Sequence, residues 1–332
     1  MRESPFLRRD RPGIFMDPLS EIVSLLKPNS FGFRGLDAGG DWALAFDASE
    51  GIRCYAVTTG ACWLSFADMT DPVRLTGGDF VLVSGGKAFR LYNSPEVSPI
   101  DAAPFLLAVP AGGNAVLNGG GGCTGVGGFF GFKGLYAGLL LGVLPPVVHI
   151  SAEADKATLR QSIERLMREL REPRPGSALI AEHLAQALLI EALRLHLMDR
   201  SSQSRGWLFA LADRQMQAAI SAMHAKPGHK WTLAALARVA GMSRSSFAVR
   251  FKQTVGEPAM EYLTRWRMLV AADRLANAGA SIATVAPTVG YLSESAFGAT
   301  FKRVIGSSPR QYARGAGDQG NQLNNISPSR HG

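Results

Sequence analysis

The sequence predicts an α+β chain: an all-β N-terminal unit followed by a helical hairpin, then an all-α C-terminal unit with two helix-turn-helix motifs. Three observations carry this. Short strand-like runs fill the region from Phe31 to about Phe132, helical periodicity takes over after Pro145 and Pro146, and one helical pattern is written twice near the C-terminus. The two copies are LARVAGMSRSSFAVRFKQTVGEPAMEY and VAPTVGYLSESAFGATFKRVIGSSPRQY. Leu236, Gly241, Phe247, Phe251, Lys252, Gly256 and Tyr262 recur as Val285, Gly290, Phe297, Phe301, Lys302, Gly306 and Tyr312, with one extra residue in the second turn. A repeat of this kind implies two similar supersecondary units, each presenting the same element to a partner.

Taken in order, Asp17–Leu26 reads as a short amphipathic helix that ends at Lys27-Pro28. The runs IRCYAVTTG, ACWLSFAD, DFVLVSGG and FLLAVP cluster β-branched and aromatic residues between Gly, Asp, Asn and Pro. Many short strands with close turn signals favour a barrel or a double-sheet sandwich over alternating βαβ units. The glycine-dense stretch Ala111–Gly131 reads as loops. Glu153–Leu170 then sets Leu159, Ile163, Leu166 and Leu170 on one stripe, and Ser177–Met198 does so with Leu184, Leu188 and Leu195. Such a hairpin packs either on the barrel or on a second subunit, so a homodimer interface is one expectation. The domain reading is a mis-called start or disordered arm at 1–16, a strand-rich unit at 17–150, the hairpin and linker at 151–206, a helical unit at 207–315 and a disordered tail at 316–332. Asp199–Gly206 is the linker itself.

The formal net charge is +8, and its distribution is uneven. Residues 1–213 hold 20 Lys and Arg against 22 Asp and Glu, whereas residues 214–314 hold 14 against 4. A basic domain beside a near-neutral one points to nucleic acid for the first. Cys54, Cys62 and Cys123 are scattered and odd in number, which argues against a disulfide framework or zinc site and fits a reducing cytoplasm. No apolar run is long enough to span a bilayer, the one around Leu135–Val148 being broken by Gly142 and Pro145-Pro146. The run GGNAVLNGGGG lacks the strand–helix context of a phosphate loop, no GxSxG occurs, and His183 and His196 are too far apart for a helical metal pair.

In the first copy, Thr232 caps a helix from Leu233, Gly241 supplies the positive-φ turn residue, and Ser243 caps the helix Arg244–Thr254. Phe247 and Phe251 share a face at i, i+4 and should anchor that helix in the core. The opposite face carries Arg244, Ser245, Ser246, Ala248, Val249 and Arg250, with Lys252 beside it. Arginine bonds guanine bidentately, while Lys and Ser mostly hold phosphates, so this is the face a major groove would see. The second copy presents Ser293 as cap, then Glu294, Ser295, Ala299, Thr300, Lys302 and Arg303. The helix-turn-helix spans are about 232–254 and 282–304. Arg265 and Arg267 on the joining helix, or Thr232 at a helix start, are candidates to fix the register through phosphates.

These residues resemble the AraC/XylS family of transcription regulators. The resemblance covers residues 207–315 through WTLAALARVAGMSRSSF, GEPAMEYLTRWRM and GYLSESAFGATFKR. The remainder is similar to the cupin-type N-terminal domain of one AraC subgroup, through DPLSEIV, GACWL, PVRLTGGDFVLV, LPPVVHI and GWLFALAD. The resemblance implies a cupin-like β-barrel that senses a ligand or dimerises, joined to a DNA-binding domain with no enzymatic activity. It implies double-stranded DNA as partner, with RNA polymerase, an unidentified small-molecule effector and a second copy as further partners, and it suits an activator.

Three departures from the family pattern stand out. The family usually places an Arg in each recognition helix where this chain has Val249 and Ala299. A bidentate Arg carries about 1–3 kcal/mol of base discrimination, so readout is altered, with Val249 suited to a thymine methyl. Pro287 falls inside the helix Ile282–Val289 and removes one hydrogen bond, at about 3 kcal/mol in a helix interior; with Glu294 facing phosphate, the second unit is expected to be the weaker reader. The cupin lacks metal ligands: Tyr55 and Phe89 stand where histidines often do, and no His precedes His149. No cofactor is expected, and an apolar pocket among Tyr55, Trp63, Phe80 and Phe89 is the expected ligand site. Two alternatives are a degenerate regulator that binds DNA weakly and acts through protein contacts, and a cupin enzyme fused to a DNA-binding module.

Overall fold

The computed structural model describes residues 17–26, 28–49, 51–84, 86–132, 144, 146–151, 153–198, 210–277 and 280–314. The expected N-terminal arm, the Asp199–Gly206 linker and the C-terminal tail lie outside these residues. Helix α1 (Pro18–Leu26) starts the described chain, with the Asp17 carboxylate accepting from Ser20 N–H at 3.1 Å. The strands are β1 (Pro28–Ala38), β2 (Ala43–Phe46), β3 (Ile52–Thr59), β4 (Ala61–Phe66), β5 (Val73–Thr76), β6 (Phe80–Val83), β7 (Phe89–Tyr92) and β8 (Ile100–Asp101). Helix α2 (Ala102–Leu107) follows, then β9 (Asn114–Leu117), β10 (Cys123–Phe132) and β11 (Val147–Ile150).

These strands form a six-stranded sheet in the order β11-β6-β3-β10-β1-β9 and a five-stranded sheet in the order β5-β4-β7-β2-β8. The pairs β1–β9 and β2–β8 are parallel and the rest antiparallel. The architecture is therefore a pair of cupin-like sheets, the double-sheet form that the strand pattern allowed beside a barrel. Side chains alternate across each strand. Leu36, Tyr55, Val57, Val81 and Val83 of the larger sheet meet Leu44, Cys62, Leu64, Phe89 and Leu91 of the smaller one in one core. The opposite parity, Phe33, Ile52, Cys54, Phe80, Leu82 and Phe130, turns to the other face and joins a second core with the helices.

The expectation of loops across Ala111–Gly131 is corrected, because β9 and most of β10 lie there. The glycines of β10 are sites of close approach. A Cβ on Gly128 would sit 2.3 Å from the Phe33 ring and 2.8 Å from Cys54 Sγ, its two cross-strand neighbours. A Cβ on Gly125 would sit 2.5 Å from the Tyr55 hydroxyl. Composition alone reads such a segment as flexible; the register shows that the missing side chains make room for large ones next door.

Helices α3 (Glu153–Arg171) and α4 (Ser177–Met198) form the expected hairpin. Leu159, Ile163, Leu166, Leu188 and Leu193 are buried in the same cluster as Phe80 and Phe130, so the hairpin covers the outer face of the six-stranded sheet within one chain. Lys156 of α3 ties it to the sheet: its Nζ lies 3.1 Å from Asp79 Oδ1, and His149 Nε2 lies 3.3 Å from Asp79 Oδ2.

The C-terminal unit contains α5 (Arg214–Ala225), α6 (Leu233–Val239), α7 (Arg244–Val255), the long α8 (Ala259–Asn277), α9 (Ile282–Thr288) and α10 (Glu294–Ile305). Helix α8 packs against α7 on one side and against α9 and α10 on the other. The first described helix also belongs to this unit's core. Leu19, Ile22, Val23 and Leu25 of α1 cluster with Met216, Ile220 and Met223 of α5, and α1 contacts both α5 and α8.

Candidate nucleic-acid interface

Each helix-turn-helix is built from the local signals in its sequence. Thr232 Oγ1 accepts from Ala235 N–H at 3.1 Å, and Ser243 Oγ accepts from Ser246 N–H at 3.2 Å. Ser281 and Ser293 cap α9 and α10 through Thr284 and Ala296 at 3.2 and 3.4 Å. Such caps satisfy backbone donors that a helix start leaves open. Gly241 and Gly290 turn the chain at φ 64° and 86°, and Gly256 and Gly306 end the recognition helices at φ 94° and 91°. Side chains rarely adopt these values.

Behind the two recognition helices lies the same aromatic triplet. Phe247 and Phe251 are 5.5 Å apart, and Phe251 meets the Tyr262 ring edge-on at 5.8 Å. Phe297 and Phe301 are 5.6 Å apart, and Phe301 meets Tyr312 edge-on at 5.6 Å. All four phenylalanines are fully buried. The i, i+4 spacing thus turns one face inward, and the opposite faces of α7 and α10 remain in solvent.

On α7 the exposed residues are Arg244, Ser245, Ser246, Val249, Arg250, Lys252 and Gln253, with Ala248 half-buried. Val249 is 57% exposed. On α10 they are Glu294, Ser295, Ala296, Ala299, Lys302 and Arg303, while Ser293 caps the helix and Thr300 is half-buried with its hydroxyl donating to Ala296 O at 2.9 Å. The longer second turn lifts Leu292 to 89% exposure directly before that cap.

Three of the expected DNA-reading arginines have partners within the chain. Arg250 donates to Gln215 Oε1 at 2.6 Å and to Asp213 Oδ2 at 2.5 Å, so it braces α7 against the start of α5. Arg265 pairs with Glu257 and lies over the Tyr262 ring. Arg267 donates to the Pro227 and His229 carbonyls at 2.7 and 2.8 Å, holding the α5–α6 connection against α8. Burial lowers the Arg267 pKa, as expected for a guanidinium used structurally. The cations left on the reading side are Arg244, Lys252, Lys302 and Arg303. Gln253, one turn beyond Val249, was not among the residues expected from sequence; helical spacing alone would have placed it there.

Pro287 lies in the last turn of α9, which is seven residues long like its counterpart α6. The Val289 N–H is satisfied by the carbonyls of Ala286 and Pro287, and Arg274 donates to the Thr288 hydroxyl beside it. The proline therefore removes a single bond near a helix end, where the interior cost does not apply in full.

The N-terminal unit holds a half-open cavity of about 460 Å³ between its two sheets, within the ordinary range for small-molecule sites. Tyr55 and Phe89 line it as expected, and Trp63 and Phe80 do not. The parity of the strands explains the difference. Phe80 alternates with Val81 and so faces the helices, while Trp63 alternates with Cys62 and Leu64 and faces solvent, under Arg74.

Two helix-turn-helix units joined by one long helix, preceded by a double-sheet cupin, define a class of DNA-binding regulator. A cupin family model matches residues 17–198, and a helix-turn-helix domain model matches residues 236–315. The chain belongs to the AraC-type transcription regulators. It is 40% identical over 300 residues to an AraC-like transcription regulator of Streptomyces lividans, covering 90% of this chain and 98% of that one. It is 29% identical over 304 residues to the HTH-type transcriptional regulator AlkR of Acinetobacter baylyi, covering 90% and 99%. Among solved structures, ToxT from Vibrio cholerae is similar over 86% of this chain and 96% of that chain, at 12% identity and a TM-score of 0.35.

Proposed function

We propose that this regulator recognises a specific operator by setting α7 and α10 into neighbouring major-groove segments, and that its cupin domain modulates this binding through a small molecule or through dimerisation. The observation that carries the reading is the duplicated Phe-Phe-Tyr triplet, which holds two recognition helices in equivalent poses with their polar faces outward. Arg244, Lys252, Lys302 and Arg303 supply phosphate and base contacts, and Ser245, Ala248, Val249 and Gln253 approach the base edges from α7. Readout is led by the first unit, because Glu294 at the start of α10 opposes phosphate. The protein acts without enzymatic chemistry of its own, in the cytoplasm, as an activator that contacts RNA polymerase. Selection of bound duplexes from a random pool by the full chain, with and without candidate effectors, tests this; a single enriched sequence motif is the expected result.

A second reading has one observation in its favour. Arg250, Arg265 and Arg267 are committed to internal partners, which leaves few cations for base readout. A regulator of this kind would bind DNA weakly and work through protein contacts. Equal affinity for promoter and random DNA, both steeply salt-dependent, would select this reading over the first.

A further inference from the structure

The cavity between the two sheets carries two arginines in a mainly apolar wall. Its shape follows from the strand register. Across the inner face, Gly32, Phe129 and Arg53 form one row of β1, β10 and β3, and Arg34, Gly127 and Tyr55 form the next. Gly32 and Gly127 carry no side chains, so space opens beside each arginine. A Cβ on Gly32 would come within 3.3 Å of Arg34 Nη1. The smaller sheet contributes Leu44, Leu64 and Leu91 from the opposite side.

Both guanidiniums are held in place by neutral groups. Arg34 Nε donates to the Val109 carbonyl at 2.8 Å. Arg53 Nε donates to Ser49 Oγ at 3.1 Å and its Nη2 to the Asp47 carbonyl at 3.4 Å. Arg53 also lies 5.2, 6.0 and 5.9 Å from the ring centres of Phe46, Phe89 and Phe129. The Asp47 and Asp101 charges act on Arg53, yet among the described residues no carboxylate comes within ion-pair distance of either arginine. Both guanidiniums are half-buried, and a cation partly withdrawn from water with no carboxylate in contact is stabilised when an anion enters.

We propose that this cavity binds an anionic amphiphile, a monocarboxylate with an apolar body, whose head is held by Arg34 and Arg53 and whose body fills the space among Leu44, Leu64, Leu91 and Phe89. This names the site and ligand class for the small-molecule control proposed above and rests on that reading only for its regulatory consequence. A neutral hydrocarbon would fill the same volume and leave both guanidiniums unpaired. A cationic amphiphile would meet two like charges. The carboxylate is the head group that the wall selects, because charge-assisted hydrogen bonds from arginine are stronger than neutral ones.

The test is calorimetric titration of the full chain with three probes of equal chain length below their micelle concentrations: dodecanoate, dodecanol and dodecyltrimethylammonium. Dodecanoate is expected to bind about tenfold or more tightly than dodecanol, the span of one charge-assisted hydrogen bond, and the ammonium probe more weakly still. Arg34→Gln and Arg53→Gln together should abolish the preference for the acid while leaving binding of the alcohol, and Arg53→Lys with Arg34 intact should retain most of it. Thermal melting of each variant verifies that it is folded. Equal binding of acid and alcohol by the wild-type chain, no binding of any probe, or an acid preference that survives in the double glutamine variant overturns the proposal. DNA binding with added dodecanoate is measured in parallel. Arginine-dependent binding of the acid without any change in DNA affinity keeps the site and overturns its regulatory role. A response of DNA affinity to some other compound, with no acid preference in the titration, overturns the site and keeps the regulatory reading.

Discussion

Glu21 Oε2 lies 3.0 Å from His224 Nδ1, which places an ionisable contact of α1 against the buried centre of the DNA-binding unit. On its other side, His224 Nε2 and the Tyr262 hydroxyl share a 2.7 Å hydrogen bond, and the imidazole stacks on Trp266 at 3.7 Å. Burial lowers the His224 pKa, and the Glu21 carboxylate opposes that shift without cancelling it. The groups that meet His224 are therefore Glu21 from α1 and Tyr262 and Trp266 from α8.

That contact predicts a pH dependence with a defined sign. A histidine whose pKa is depressed in the folded state binds fewer protons than the unfolded chain just below its ordinary value. The stability it contributes is complete above about 6.5 and declines as pH falls from there to the depressed value. Thermal unfolding from pH 8 to pH 5 should show this decline in the wild-type chain. His224→Phe should show a smaller decline over the same window; an unchanged decline would mean that another group causes it.

The aromatic triplets set the mechanical stability of the recognition helices. Phe247→Ala or Phe251→Ala should destabilise the C-terminal unit by about 3–5 kcal/mol, the usual cost of emptying a buried phenylalanine site. Urea titration followed by far-ultraviolet circular dichroism reads this directly. DNA binding should be lost with the fold, and in step with it.

Arg244 and Arg250 differ by less than two turns and should behave differently. Arg244→Ala is expected to weaken DNA binding and to reduce the slope of log affinity against log salt by about one. Arg250→Ala is expected to leave that slope unchanged and to cost at most about 1 kcal/mol of stability, since its bridge to Asp213 is half exposed. Filter binding over a salt series separates the two. A drop in slope for Arg250→Ala would show that Arg250 leaves Asp213 for phosphate when DNA is present.

Asp79 anchors the hairpin to the six-stranded sheet. Burial tends to raise its pKa, but the Thr76 N–H, Lys156 and His149 together hold it below the usual carboxylate range. The stability it supplies is present above the usual range and is lost as pH falls through the depressed value. Asp79→Asn should cost about 1–3 kcal/mol by leaving buried polar partners imperfectly satisfied. Differential scanning calorimetry near neutral pH gives the figure, and a change within error would remove this anchor from the account.

Much of the DNA-binding unit was legible in sequence because its determinants are local. The Ser243 and Ser293 caps, the Gly241 and Gly290 turns and the i, i+4 phenylalanines each act within a turn or two of themselves, and all recur in the structure as read. The pairing of Arg250 was not legible, since its partners Asp213 and Gln215 lie more than thirty residues earlier. The same holds for β10, where glycine composition suggests loops until the partner strands bring Phe33 and Tyr55 alongside. Arg34 and Arg53 meet at one cavity through register, which no single strand displays.

The shared core of α1 and α5 has a practical meaning for how the protein comes apart. Because Leu19, Ile22 and Val23 fill the space beside Ile220 and Met223, cutting the peptide between the halves would nick the chain without releasing them. Conversely, a fragment that begins after the linker would start life with a greasy flank bared to water, prone to self-association. Its behaviour on DNA would then report on the wound as much as on the regulator.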